Sequence, residues 1–158
     1  LLAESPLCEL GPEPLAPEFD GETLRAAAGH SKRPLRDVLL DQRVVAGVGN
    51  IYAIEALFLA RLHPLLPASR LAPSAWDRLA TAVRAVLEQG LRNGGTTLRD
   101  YRDADGNAGE NQNALWVYGR AGAACRVCGA EIEPFVLGGR GGAFCPQDQR
   151  RPRTRRVG

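Results

Sequence analysis

Apolar positions recur at helical spacing through most of the chain and give way to short, glycine-broken runs near its end. A short helix is expected from Asp20 or Gly21 through Ala28, stopped by Gly29. Pro34 suits the first turn of a second helix that keeps Leu35, Val38 and Leu39 on one face. Residues 51–62 are apolar nearly all round, as a helix buried on every side would be, and His63-Pro64 ends the run. Ser74, with Asp77 three residues on, opens a further helix with a capping-box-like pattern. Its inner stripe is Trp76, Leu79, Val83, Val86 and Leu87, and Gly94-Gly95 closes it. Residues 99–113 are polar and without period, and a loop that long in a compact domain is functional or disordered. Leu115-Trp116-Val117-Tyr118 reads as a short strand, and the glycine-rich remainder suits small β-hairpins. The expected class is mostly α with a small β appendage.

Residues 1–20 are acidic and proline-rich, an extended linker and not an independent domain. Leu1 in place of Met suggests that processing or truncation has removed something. No apolar stretch approaches the roughly 20 residues of a membrane span and no secretory pattern opens the chain, so an intracellular, soluble protein is expected.

Charge changes this picture through its distribution. Residues 1–30 hold six acids against Arg25 alone, whereas residues 140–158 hold six arginines against Asp148 alone. A basic end points to an anionic partner. Of the 20 basic residues only Lys32 is a lysine. Guanidinium forks match phosphate geometry, and GC-biased coding would produce the same skew.

Three candidate chemistries emerge. Cys125 and Cys128 form a CxxC pair, followed after 16 residues by Cys145 and then Asp148, the spacing of a zinc ribbon or β-hairpin finger with a carboxylate in the fourth position. Zinc accepts carboxylate oxygen, and four protein ligands leave no open position, so such a metal is structural. The other reading is a metal-free finger packed by Phe135 and Phe144. Gly47-Val48-Gly49-Asn50 precedes a helix, where glycines allow close backbone approach and N-terminal amides attract phosphate; Asn50 suits the N-cap. The plain alternative is an ordinary tight turn. Arg140, flanked by Gly138-Gly139 and Gly141-Gly142, can reach into a groove from a hairpin tip, although such arginines are common in solvated turns.

These segments lie in an order that resembles the bacterial formamidopyrimidine-DNA glycosylases. The resemblance runs through Leu10-Gly-Pro-Glu-Pro-Leu15, Leu40-Asp-Gln-Arg-Val-Val-Ala-Gly-Val-Gly-Asn-Ile-Tyr-Ala53, Glu55-Ala-Leu-Phe58, His63-Pro64, Gly94-Gly-Thr-Thr-Leu98, Val117-Tyr-Gly-Arg120 and Cys125-Arg-Val-Cys128. The Gly94–Leu98 and Val117–Arg120 segments look more like the formamidopyrimidine branch than the endonuclease VIII branch.

The resemblance implies a helix–two-turn–helix DNA-binding domain over 21–120, with a lesion loop near 99–113. A zinc finger over 121–150 and a basic tail over 151–158 would follow. It implies that Asn50 binds backbone phosphate beside the lesion, that Arg43 lies near the damaged nucleotide and that Arg140 clamps the phosphates flanking the flipped base, with the turn glycines Gly47 and Gly49 also on the DNA. One structural Zn2+ would sit on Cys125, Cys128, Cys145 and Asp148. Asp148 stands where a fourth cysteine is expected, and Gly109-Glu-Asn-Gln-Asn113 lacks the expected aromatic.

In the family, an N-terminal proline amine attacks the sugar, the base leaves, and elimination nicks the strand. This chain opens Leu1-Leu2-Ala3-Glu4. It is therefore expected to be the C-terminal, DNA-binding half of a bacterial cytoplasmic, nucleoid-associated glycosylase/AP lyase. Its expected partner is duplex DNA carrying an oxidised purine (8-oxoguanine, formamidopyrimidines) or an abasic site, engaged by a monomer. The alternative is a non-catalytic DNA-binding zinc-ribbon module. A helix–hairpin–helix glycosylase would need a Schiff-base lysine beside the hairpin, and Lys32 lies on the wrong side of the preceding helix.

Overall fold

The first helix, α1 (Gly21–Ala28), begins where a capping carboxylate is available. Asp20 Oδ1 accepts from the Thr23 backbone N–H at 2.9 Å and from its hydroxyl at 2.8 Å, and Gly29 closes the last turn. The computed structural model describes residues 10–92 and 115–150, so Gly94-Gly95, the 99–113 loop and the 151–158 tail lie outside the described residues. Helix α2 (Leu35–Leu40) follows Pro34 and buries Leu35, Val38 and Leu39, as the pattern predicts; it also buries Arg36.

Helix α3 (Asn50–Leu59) starts with Asn50 as its first helical residue, and Gly49 holds the N-cap position expected of Asn50. It also ends before His63-Pro64. Arg61 takes φ 61°, and the Leu62 N–H returns to the Leu57 carbonyl at 2.9 Å, a left-handed exit that satisfies a terminal carbonyl. Helix α4 (Pro73–Arg92) starts one residue ahead of Ser74, because proline at the first helical position lacks only an N–H the helix would not use. Trp76, Leu79, Val83 and Val86 are buried along it, with Leu87 packed at the edge. No described helix is long and apolar enough to cross a membrane.

Two apolar clusters share α3. Ala53, Ala56, Leu57 and Ala60 join Leu24, Leu35, Leu39, Trp76 and Leu79 in the helical core. Ile54 and Phe58 turn the other way, toward Val117, Cys125, Ile132, Ala143 and Cys145. A helix with a core on each side has no solvent face to make polar, which is why α3 is apolar all round.

The C-terminal unit is a hairpin of β1 (Glu133–Leu137) and β2 (Arg140–Phe144), antiparallel, with Leu137 opposite Arg140. Its two-residue loop holds Gly138 at φ 60° and Gly139 at φ 79°, the doubly positive geometry that suits strand twist and selects glycine. Gly142 lets β2 lie on α3: a Cβ there would come within 2.6 Å of Ile54 Cδ1 and of the Phe135 ring.

Residues 115–118 form turns, and the strand expected there is absent. Their amides are used otherwise. The N–H groups of Trp116, Val117 and Tyr118 donate to the Glu55 carboxylate at 2.6, 2.8 and 2.8 Å. Three consecutive amides converge on one anion only when the chain curls around it, whereas a strand points them alternately to opposite sides. Near the other end, residues 10–19 pack on the helical body. Gly11 N–H donates to the Gln42 carbonyl at 2.7 Å, Phe19 is buried, and Arg84 of α4 donates to the carbonyls of Pro14, Ala16 and Phe19.

Candidate nucleic-acid interface and metal centre

The turn before α3 is built around Gln42 and Asp41. Gln42 Oε1 accepts the Gly47 N–H at 2.8 Å, and its Nε2 donates to the Val48 and Leu40 carbonyls at 3.3 Å. Gly47 sits at φ 81°, which a side chain would resist; Gly49 at φ −90° would not. A Cβ on either would meet no atom within 4 Å, so the space before both is open. Gly49 is also the N-cap of α3.

Asp41 organises the basic side chains of this loop. It accepts the Arg43 backbone N–H at 2.9 Å, the Arg43 Nε at 3.3 Å and the Arg33 Nη2 at 2.8 Å. The Arg43 backbone bond and both guanidinium groups outweigh desolvation and hold the Asp41 carboxyl at about 2. Arg43 itself is exposed. Among the described residues, no hydrogen bond or ion pair joins it to Asn50 or Arg140.

Asn50 and the Arg140 hairpin do meet. Asn50 Nδ2 donates to the Gly141 carbonyl at 2.9 Å, across 91 positions of sequence. Arg36 completes the junction from α2: its Nη1 donates to Asn50 Oδ1 at 3.2 Å and to the Arg140 carbonyl at 3.4 Å, and its Nη2 to the Leu137 carbonyl. Arg36 is 1% exposed, with its guanidinium over the Phe135 ring. The Arg140 side chain is exposed.

At the far end of the hairpin, Cys125, Cys128, Cys145 and Asp148 place their ligand atoms within 4.8 Å of one another. Cys125 Sγ lies 3.2 Å from Asp148 Oδ2, and Cys128 and Cys145 Sγ are 3.4 Å apart, too far for a disulfide. Tetrahedral zinc with thiolate bonds near 2.3 Å sets neighbouring ligand atoms roughly 3.7 Å apart, a spacing this cluster brackets. The Val127 and Asp148 amides donate to Cys125 and Cys145 Sγ, both at 3.3 Å, which favours the thiolates. Burial pushes the Cys145 thiol up to about 12, so its ionisation calls for a nearby cation. Desolvation raises the Asp148 pKa, but the three cysteines and Arg61 together bring it below the ordinary value. Arg61 Nη1 reaches the other carboxylate oxygen at 3.3 Å. The residues fit a zinc ion.

The formamidopyrimidine-DNA glycosylase helix–two-turn–helix domain matches residues 10–102, and the zinc finger found in these glycosylases and in isoleucyl-tRNA synthetases matches residues 122–151. The chain belongs to the formamidopyrimidine-DNA glycosylase family.

The glycosylase of Gloeobacter violaceus is 50% identical over 144 residues, covering 91% of this chain and 51% of that protein. That of Geobacillus kaustophilus is 46% identical over 145 residues, covering 92% and 53%. The crystal structure of the Thermus thermophilus glycosylase superposes with a TM-score of 0.81 at 46% identity, covering 94% of this chain and 57% of that one. The Lactococcus lactis glycosylase, in complex with DNA containing an abasic site, gives 0.79 at 38%, covering 90% and 52%. The chain thus spans about half the length of the curated relatives it matches. The glycosylase zinc-finger match and the Cys3Asp cluster together support a structural zinc.

Three residues that hold this region together are not among the site residues expected from the sequence. Arg36 falls on the buried face of an amphipathic helix, where a charge is out of pattern. Glu55 lies inside an apolar run, a visible anomaly whose partners are some sixty residues away. Gln149, fully buried, accepts the Cys145 N–H at 2.8 Å and donates to the Leu62 carbonyl at 2.9 Å. It follows the ligand region as an ordinary polar residue and gave no signal.

Proposed function

We propose that this chain is the DNA-binding half of a bifunctional glycosylase/AP lyase that removes oxidised purines and nicks the strand. The observation that carries this reading is the junction of Asn50 with the hairpin of Arg140. The Asn50 amide, in the first turn of α3, is hydrogen-bonded to the hairpin that carries the exposed Arg140. Backbone amides at a helix start, an Asn side chain and an Arg fork are the groups that bind phosphate oxygens. Such contacts position a duplex and carry no sequence information, as suits an enzyme that scans for damage. Extruding a base costs a few kcal/mol of unstacking, which contacts to the flanking phosphates offset.

In this reading Arg43, exposed beside Asp41, exchanges its carboxylate partner for the phosphate next to the damaged nucleotide, and open space over Gly47 and Gly49 admits the backbone. Cys125, Cys128, Cys145 and Asp148 hold the zinc, which fixes the hairpin and performs no chemistry. Solved complexes of the Lactococcus lactis enzyme with abasic-site and Fapy-dG DNA support damaged duplex as the ligand. The work is done by a monomer in the bacterial cytoplasm, at the nucleoid.

Binding to a duplex with a tetrahydrofuran abasic analogue, titrated against salt, tests this. Affinity should fall steeply with salt, and Arg140→Ala should reduce the slope of log K against log salt by about one. A salt-independent affinity would overturn the reading.

A further inference from the structure

We propose that Arg36 is a positioning residue for this clamp: its buried guanidinium fixes the direction of the Asn50 amide and the seat of the Arg140 turn. The proposal rests on the reading of Asn50 and Arg140 as phosphate contacts.

The chemistry of the pair determines the amide's orientation. A guanidinium has five N–H donors and no acceptor, so only the oxygen of an Asn amide can face it. Arg36 Nη1 meets Asn50 Oδ1 at 3.2 Å, which turns Nδ2 toward the hairpin, where it donates to the Gly141 carbonyl at 2.9 Å. One of the two Nδ2 hydrogens is used there, and the other is the donor for a phosphate oxygen. An amide free to flip would present its oxygen to the anion half the time and repel it.

The same side chain seats the turn. Its Nη1 donates to the Arg140 carbonyl at 3.4 Å and its Nη2 to the Leu137 carbonyl, the two residues that flank the Gly138-Gly139 loop. Nε and Nη2 both lie 3.3 Å from Asp37 Oδ1, and the plane lies over Phe135, 5.6 Å from the ring centroid. The planar fork thereby couples α2, α3 and the hairpin at one point. A buried charge is a poor way to gain stability, since apolar residues of similar volume often serve as well. It is a good way to fix the mutual geometry of three polar groups.

The test is a double-mutant cycle on the zinc-loaded full chain, read as affinity for the tetrahydrofuran duplex, with zinc content and thermal unfolding measured on each variant. Arg36→Met should weaken binding at least about tenfold when Asn50 is present and by a clearly smaller factor, about threefold, in an Asn50→Ala background, because the share that acts through Asn50 is then lost and only the seating of the Arg140 turn remains. Arg36→Lys retains the charge without the fork and should bind more weakly than the parent, again with a smaller effect once Asn50 is Ala. Should Arg36→Met lose its zinc or its fold, the Arg36→Lys cycle decides.

Equal losses in both backgrounds would overturn the proposal, since a purely structural or long-range charge effect does not depend on Asn50. If instead Asn50→Ala and Arg140→Ala leave affinity unchanged, the clamp reading falls and this proposal with it. Losses in those two variants beside an additive Arg36 effect would remove the proposal alone.

Discussion

A carboxylate in the middle of α3 can be buried only if its charge or its proton is satisfied where it lies. Glu55 is 3% exposed, and burial raises its pKa against the opposing pull of three amides and the Arg120 charge. Both oxygens are occupied by the curled backbone at 116–118, so the side chain acts as the template for that turn. Glu55→Gln keeps the shape but sets an NH2 against N–H donors. It should destabilise the chain by about 1–3 kcal/mol in urea unfolding. An unchanged midpoint would mean that the turn does not depend on the carboxylate. The acid stands out in the sequence because every neighbour is apolar, whereas its partners are amides, which every residue has and no sequence distinguishes.

At the level of elements, the hairpin owes its conformation to local chemistry and its position to distant contacts. Gly138 and Gly139 suffice for the two-residue loop. Its placement depends on Gly142 against Ile54, on Arg36 at the loop carbonyls and on the metal-ligand cluster at the open end. A carboxylate among three thiolates is a harder donor than a fourth thiolate. Asp148→Cys is therefore expected to retain zinc against about tenfold more chelator, and Asp148→Ala to release it sooner than the parent. Equal retention in all three would show that Asp148 is not a ligand. The spacing of the three cysteines and Asp148 made this cluster legible, because knuckle and hairpin set the distances between ligands locally. Asn50 was legible as a residue and misplaced by one position as an element boundary: Gly49 supplies the cap while Asn50 reaches across to the hairpin.

Across the whole molecule, the helical core and the finger cluster are separate apolar assemblies joined along α3, with Glu55, Arg36 and Gln149 as the polar ties between them. Among the described residues, every buried member of the helical core precedes position 87, so none of them comes from the finger. Removing zinc with a chelator should therefore leave the far-UV helical signal nearly intact. Affinity for the duplex should fall at least about tenfold as the Arg140 hairpin loses its anchored base. A helical signal that collapses with the metal would show instead that the two cores fold as one unit.

The amino-acid order by itself determined the helices, the two-glycine turn and the metal-ligand spacing, because capping, periodicity and turn conformation act over a few residues. It also carried the family, through motifs kept in order along the chain. The tertiary structure alone decided that Arg36 and Asn50 share a hydrogen bond, that Glu55 gathers three amides from beyond residue 115, and that 115–118 is a turn. Those contacts join positions from 14 to 63 residues apart, and only packing brings them within reach.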